Sequence, residues 1–134
     1  MVNYNLLIKE AQNAREYSYS PYSNFKVGCA LLCKNGKIYT GCNVENASYG
    51  ECICAERTAI VKAISQGDKE FLAIAIVGGI NEICDFTYPC GSCRQVMSEF
   101  CESTLEIVLF NGNETKLCTL GQLFPNSFDK KSIK

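Results

Sequence analysis

Apolar residues near the start of the chain recur with the period of a helix. Leu7, Ala11, Ala14 and Ser18 fall on one face of residues 3–18, and Asn3 or Asn5 can cap the first turn. Pro21 closes the helical option and leaves Ser18 to Asn24 as a loop. The pattern then changes to two strands, Lys26 to Cys33 and Lys37 to Val44. Asn35-Gly36 between them predicts a tight hairpin with positive φ angles. A polar connection, Asn46 to Cys52, leads into a helix from Cys54 to Ser65, with Gly67 as its stop signal. Phe71 to Val77 is almost wholly apolar and reads as a central strand covered on both faces. Gly91 to Cys101 reads as a second core helix and Leu105 to Phe110 as another buried strand. Asn111-Gly112 predicts a turn into a short strand near Lys116, followed by a short helix at Leu120 to Phe124. Strands alternating with helices imply a layered α/β domain with helices on both faces of one sheet. The expected organisation is one domain, 1–134, with a polar tail from about Asp129.

Composition narrows the classes of partner. A net charge of -1 and a pI near 5.5 do not suit a chain whose main ligand is nucleic acid, which calls for a basic surface. The longest apolar run is too short to span a bilayer. Residues 1–10 show no basic region, apolar stretch or small-residue cleavage site, so a cytoplasmic location is expected. In that compartment the ten cysteines are expected as reduced thiols, some of them serving a metal, rather than as a disulfide framework.

Two short segments concentrate the chemistry: Cys54-Ala55-Glu56 and Pro89-Cys90-Gly91-Ser92-Cys93. Catalytic zinc takes three protein ligands and keeps a fourth position for water. Cys90 and Cys93 can reach one ion from the start of a helical turn, and Cys54 can supply the third thiolate from the neighbouring helix. Glu56, two residues past Cys54, can then stand beside the fourth position. The chain contains no histidine, so three thiolates would leave the zinc centre formally at about -1. Helix N-termini and a nearby cation can offset that charge, and Arg57, in the same turn as Cys54, is the cation of choice. Spacing alone leaves two other readings open. Cys52 could complete a closed four-thiol structural site, or Cys90 and Cys93 could form a redox dithiol.

Zinc deaminases carry a ligand-x-Glu motif followed by Pro-Cys-x-x-Cys. The all-cysteine form here, with Cys-Ala-Glu-Arg-Thr-Ala at 54–59, closely resembles the small cytidine deaminases. The resemblance extends to Pro21-Tyr22-Ser23-Asn24-Phe25-Lys26-Val27-Gly28, Gly41-Cys42-Asn43-Val44-Glu45-Asn46-Ala47, Cys93-Arg94-Gln95-Val96 and Leu123-Phe124-Pro125-Asn126-Ser127-Phe128. It implies a three-layer α/β/α fold with one mixed five-stranded sheet. It also implies hydrolytic deamination of cytidine and deoxycytidine in pyrimidine salvage, with one zinc ion per subunit.

Residue by residue, the resemblance implies that Cys54, Cys90 and Cys93 bind zinc and that Glu56 shuttles protons. Asn43 and Glu45 would bind the ribose hydroxyls, Phe25 would pack on the nucleoside, and the Ala55 backbone would help hold the base. Arg57 would temper the charge of the thiolates. The compact members of the family are homotetramers, and Tyr49 and Phe128 match positions that reach an adjacent subunit's site. A free nucleoside is the expected substrate, because Glu45 near the sugar would repel a phosphate. The nearest rival readings are an aminonucleoside-antibiotic deaminase, a nucleic-acid-editing deaminase and a zinc-stapled binding module.

Overall fold

A computed structural model describes residues 2–133. Its elements are α1 (Tyr4–Arg15), β1 (Lys26–Cys33), β2 (Ile38–Cys42), α2 (Ala55–Ser65), β3 (Phe71–Gly79), α3 (Gly91–Phe100), β4 (Glu106–Phe110), β5 (Thr115–Thr119) and α4 (Leu120–Leu123), with short 3₁₀ turns at Tyr49–Glu51 and Lys130–Ile133. The strands form one sheet in the order β2-β1-β3-β4-β5. β3 and β4 run parallel, and the other neighbours are antiparallel.

The sheet is covered on both faces because its central strand is apolar on both. On β3, Ile74 and Ile76 pack toward α2 and α3, with Ile60, Met97 and Cys93. The alternate residues Ala73, Ala75 and Val77 pack toward α1, with Leu7, Ile8 and Ala11. This is the two-residue period of a strand read out in three layers. The expected α/β/α arrangement with a mixed five-stranded sheet is the one observed. All ten cysteines are free thiols; Cys29 and Cys33 are buried in the α2/α3 side of the core.

Three local expectations need correction. Helix α1 stops at Arg15 rather than continuing to residue 18. Tyr19 N–H turns away to the Asn43 carbonyl at 3.0 Å, so the chain leaves the helix to bridge Val44. Strand β2 ends at Cys42, and Val44 pairs across to Ile53 instead. In the β1–β2 hairpin only Gly36 has a positive φ, at 93°. Asn35 uses its side chain instead, accepting from Lys37 N–H at 3.0 Å and donating to Asp68 at 2.9 Å.

Candidate active site

Two helix starts meet at one end of the sheet. Cys54 is the N-cap of α2 and Cys90 the N-cap of α3, both in extended backbone, and Cys93 lies in the first turn of α3. Neither cap cysteine bonds its helix through its side chain, so both sulfurs are turned to other use. Gly41 sets how close α2 comes to the sheet. A Cβ there would lie 2.5 Å from the Ala55 carbonyl and 2.7 Å from the Ala59 nitrogen. Cys29 on β1 donates its thiol to the same Ala55 carbonyl at 3.0 Å, which pins the start of α2 from below.

The three sulfurs converge. Cys54 and Cys90 are 3.6 Å apart, Cys90 and Cys93 3.5 Å, and all three lie within 4.8 Å of one another. Zinc–sulfur bonds of about 2.3 Å in a tetrahedron require sulfur separations of about 3.8 Å, so this donor set fits a zinc ion. Cys52 stays out of the cluster: its sulfur accepts from Asn46 N–H at 3.3 Å and contacts the Asn46 carbonyl at 3.6 Å.

Electrostatics point the same way. A hydrogen bond from Cys93, helped by Arg57 and Cys90, holds the Cys54 thiol down to about 5. Donating to that thiolate pushes Cys93 up, and burial adds to the effect. Three such neighbours are all anionic only around a cation. Arg57 Nη2 donates to Cys54 Sγ at 3.4 Å, and its buried Nε has no hydrogen-bond partner among the described residues. A spare buried donor beside thiols suits a cluster that carries negative charge.

Glu56, only 3% exposed, lies in the first turn of α2. Burial pushes its carboxyl up to about 7, with the Cys54 charge adding to the rise. A carboxyl poised near neutrality can both take and return a proton.

Glu56, Cys54 and Cys90 line one cavity of about 580 Å³ together with Phe25, Asn43, Glu45 and Tyr49. Asn43 is held on both ends of its amide. Its Oδ1 accepts from Val27 N–H at 2.9 Å and from Ser18 Oγ, and its Nδ2 donates to the Phe25 carbonyl at 2.8 Å. Glu45 accepts from the backbone N–H groups of Tyr22 and Ser23 at 3.0 and 3.1 Å, and from Ser23 Oγ. The Ser23 hydroxyl is the main cause that holds its carboxyl below the usual range. Tyr49 is largely exposed, its ring edge-on to Tyr22 at 5.8 Å between centroids. Phe128 is exposed and lies outside the cavity lining; its carbonyl accepts from Gln95 at 2.8 Å. Sequence reasoning did not single out Thr87, Tyr88 or Ser92, which line the same cavity. Their place just before Cys90 and just after it was the available signal.

Residues 1–109 match the family profile described as cytidine and deoxycytidylate deaminase zinc-binding region. The chain is 47% identical over 129 residues to a cytidine deaminase of Halalkalibacterium halodurans, covering 96% of each chain. It is 44% identical over 128 residues to one from Sporosarcina psychrophila, covering 95% of this chain and 92% of the other. The crystal structure of a cytidine deaminase from Burkholderia pseudomallei superimposes with a TM-score of 0.88 at 49% identity, covering 95% of this chain and all of that one (100%). Matched over most of its length in sequence and in fold, and carrying three convergent thiols beside a buried glutamate, the chain belongs to the zinc-binding cytidine and deoxycytidylate deaminase family.

Proposed function

We propose that the protein hydrolyses cytidine and deoxycytidine to uridine and deoxyuridine with release of ammonia, as a step of pyrimidine salvage. The observation that carries this is the buried Glu56 carboxyl sharing one cavity with Cys54 and Cys90, whose sulfurs cluster with that of the buried Cys93. Cys54, Cys90 and Cys93 hold one zinc ion per subunit. When bound, the ion supplies an acidified water as the nucleophile. Glu56 takes a proton from the attacking water and delivers it to N3 of the pyrimidine. It then takes the second proton from the oxygen now on C4 and gives it to the amino group, so the C4–N bond breaks, ammonia leaves and C4 keeps the water oxygen as a carbonyl. Phe25 packs on the nucleoside, the Ala55 backbone holds the base, and Asn43 and Glu45 bind the sugar hydroxyls. Arg57 offsets the thiolate charge.

The exposed Tyr49 and Phe128 support a homotetramer in which neighbouring subunits complete each site, Phe128 stacking near the pyrimidine. A free nucleoside fits better than nucleic acid, because the chain's net charge is -1 and Glu45, the proposed partner of the sugar hydroxyls, puts a carboxylate in the cavity lining that would repel a phosphate. Among the described residues no helix is long and apolar enough to cross a membrane, and a cytoplasmic salvage enzyme fits that observation.

The test is loss of cytidine absorbance with ammonia release, in a preparation whose zinc content and oligomeric mass are measured together. Turnover of cytidine at one zinc per subunit is the expected result. Zinc without turnover would instead favour a structural metal module. Preference for an aminonucleoside antibiotic would reassign the substrate.

A further inference from the structure

Arg15 closes α1 and is 7% exposed, yet among the described residues it pairs with no carboxylate. Three backbone carbonyls accept from it instead. Its Nε donates to Lys26 at 3.1 Å, and its Nη2 donates to Gly79 at 2.7 Å and to Asn81 at 3.0 Å. Lys26 and Gly79 are register partners at the end of the β1–β3 ladder. One guanidinium therefore fastens two strands at the point where their pairing stops.

The chain beyond that point on either strand becomes cavity wall. Phe25 precedes Lys26, and the segment after Asn81 leads to Thr87; both Phe25 and Thr87 line the cavity. They meet over Gly78, where an added Cβ would lie 2.6 Å from Thr87 Oγ1 and 3.0 Å from the Phe25 ring. Asn43 holds the same segment from the other side, through the Phe25 carbonyl and the Val27 N–H. Three successive residues are thus clamped by two side chains, Phe25 and Val27 by Asn43 and Lys26 by Arg15. Gly28 makes the reach of Arg15 workable. A Cβ there would lie 2.1 Å from the Ala11 carbonyl and 2.4 Å from the Arg15 nitrogen, so only glycine lets α1 sit this close.

We infer that Arg15 is a positioning residue for substrate binding, which sets the spacing of the Phe25 and Thr87 walls of the nucleoside cavity without lining it. The inference rests on the proposed deamination of cytidine. A planar fork can bridge both strands, whereas a lysine ammonium offers a point donor that serves one of them. Loosening this clamp shifts the walls and leaves the sulfurs and Glu56 in place, because those stand on α2 and α3 against the opposite face of the sheet.

The experiment compares wild type, Arg15→Lys and Arg15→Met for cytidine kinetics, inhibition by uridine, zinc content and Tm. In Arg15→Met, KM for cytidine and the inhibition constant of uridine should rise together by roughly tenfold, with kcat within about threefold of wild type and zinc content unchanged. Arg15→Lys should fall between the two, and it carries the same reading if Arg15→Met does not fold. Unchanged KM and inhibition constants overturn the inference, as does a loss of kcat at constant KM or a loss of activity that tracks loss of zinc. Wild-type protein that fails to turn over cytidine overturns the proposed function instead, and is distinguishable because it needs no variant.

Discussion

The guanidinium of Arg57 stands 3.4 Å from the sulfur of Cys54, three residues earlier on the chain, and donates a hydrogen bond to it. The pair links the electronic demand of an all-thiolate site to a cation in the same turn of α2. The Cys54 sulfur in turn raises the proton affinity of Arg57, the mark of a mutual stabilisation. Arg57→Gln keeps a donor and removes the charge. It should weaken zinc binding by roughly tenfold, in the range found when partners of metal ligands are lost, and displace the pH–rate profile. Competition with a chromophoric chelator measures the first effect. A variant with wild-type zinc affinity and an unmoved profile would show that charge compensation lies elsewhere.

Burial raises the proton affinity of Glu56, the Cys54 charge adds to the rise, and the proposed reaction uses the carboxyl for successive proton transfers. Glu56→Ala should retain zinc and fold while turnover drops by about 10²–10⁴-fold or more. Metal analysis and Tm on the same sample separate lost chemistry from lost structure. Substantial residual deamination would remove Glu56 from the role of proton shuttle.

Cys52 and Cys90 test the ligand set against each other. The Cys52 sulfur is engaged by the Asn46 backbone, while that of Cys90 lies within 3.6 Å of both other cluster sulfurs. Cys52→Ala should keep zinc stoichiometry and rate. Cys90→Ala should lose both, as should wild type stripped by a strong chelator, with activity returning only to the latter on adding zinc. Loss of zinc from Cys52→Ala would restore the four-thiol structural site.

Gly41 holds the site by having no side chain. Gly41→Ala would set a methyl 2.5 Å from the Ala55 carbonyl, which is backbone and cannot step aside as a flexible side chain can. The start of α2 should be displaced, at a cost of about 1–3 kcal/mol in stability, with lower activity in the folded fraction. Denaturant unfolding beside zinc-normalised kcat reports both. Unchanged stability and rate would mean that the close approach of β2 and α2 is dispensable.

Away from the site, Tyr39 donates to Asp68 across the end of the β1–β2 hairpin. The bond holds the Asp68 carboxyl below its ordinary 3.8 and pushes the Tyr39 phenol up to about 12. A lowered carboxylate contributes stability above its unfolded value and loses it as pH falls through the folded one. A raised phenol contributes below its unfolded value and loses it as pH climbs through about 12. Tyr39→Phe should therefore lower Tm near neutral pH, and the gap from wild type should close as pH falls below 3.8. A Tm difference that does not change with pH in that acid range would mean that the hydroxyl acts only through packing.

The order of elements, the apolar β3 and the cap of α1 were legible because each depends on near neighbours in the chain. Asn3 does cap α1, accepting from Leu6 N–H at 3.1 Å. The C-terminal limit of α1 was not legible. Apolar spacing alone carries the helix to Ser18, but Tyr19 N–H is claimed by Asn43, a residue far along the chain. The hairpin signal was correct in kind and wrong in detail, since Asn35 settles its turn with a side-chain bond to Asp68.

The sequence by itself determined the parts of the site: three thiols and a carboxylate with the spacing of two helix starts, and no histidine to share the metal. The resemblance carried by the motifs already left Cys52 out of the ligand set; tertiary structure alone decided how Asn43 and Glu45 are already bonded within the wall, and that Arg15 fastens β1 to β3. The division has a physical cause. Periodicity and capping act over a few residues, whereas a hydrogen bond across the sheet exists only once strand order and register have brought its partners together.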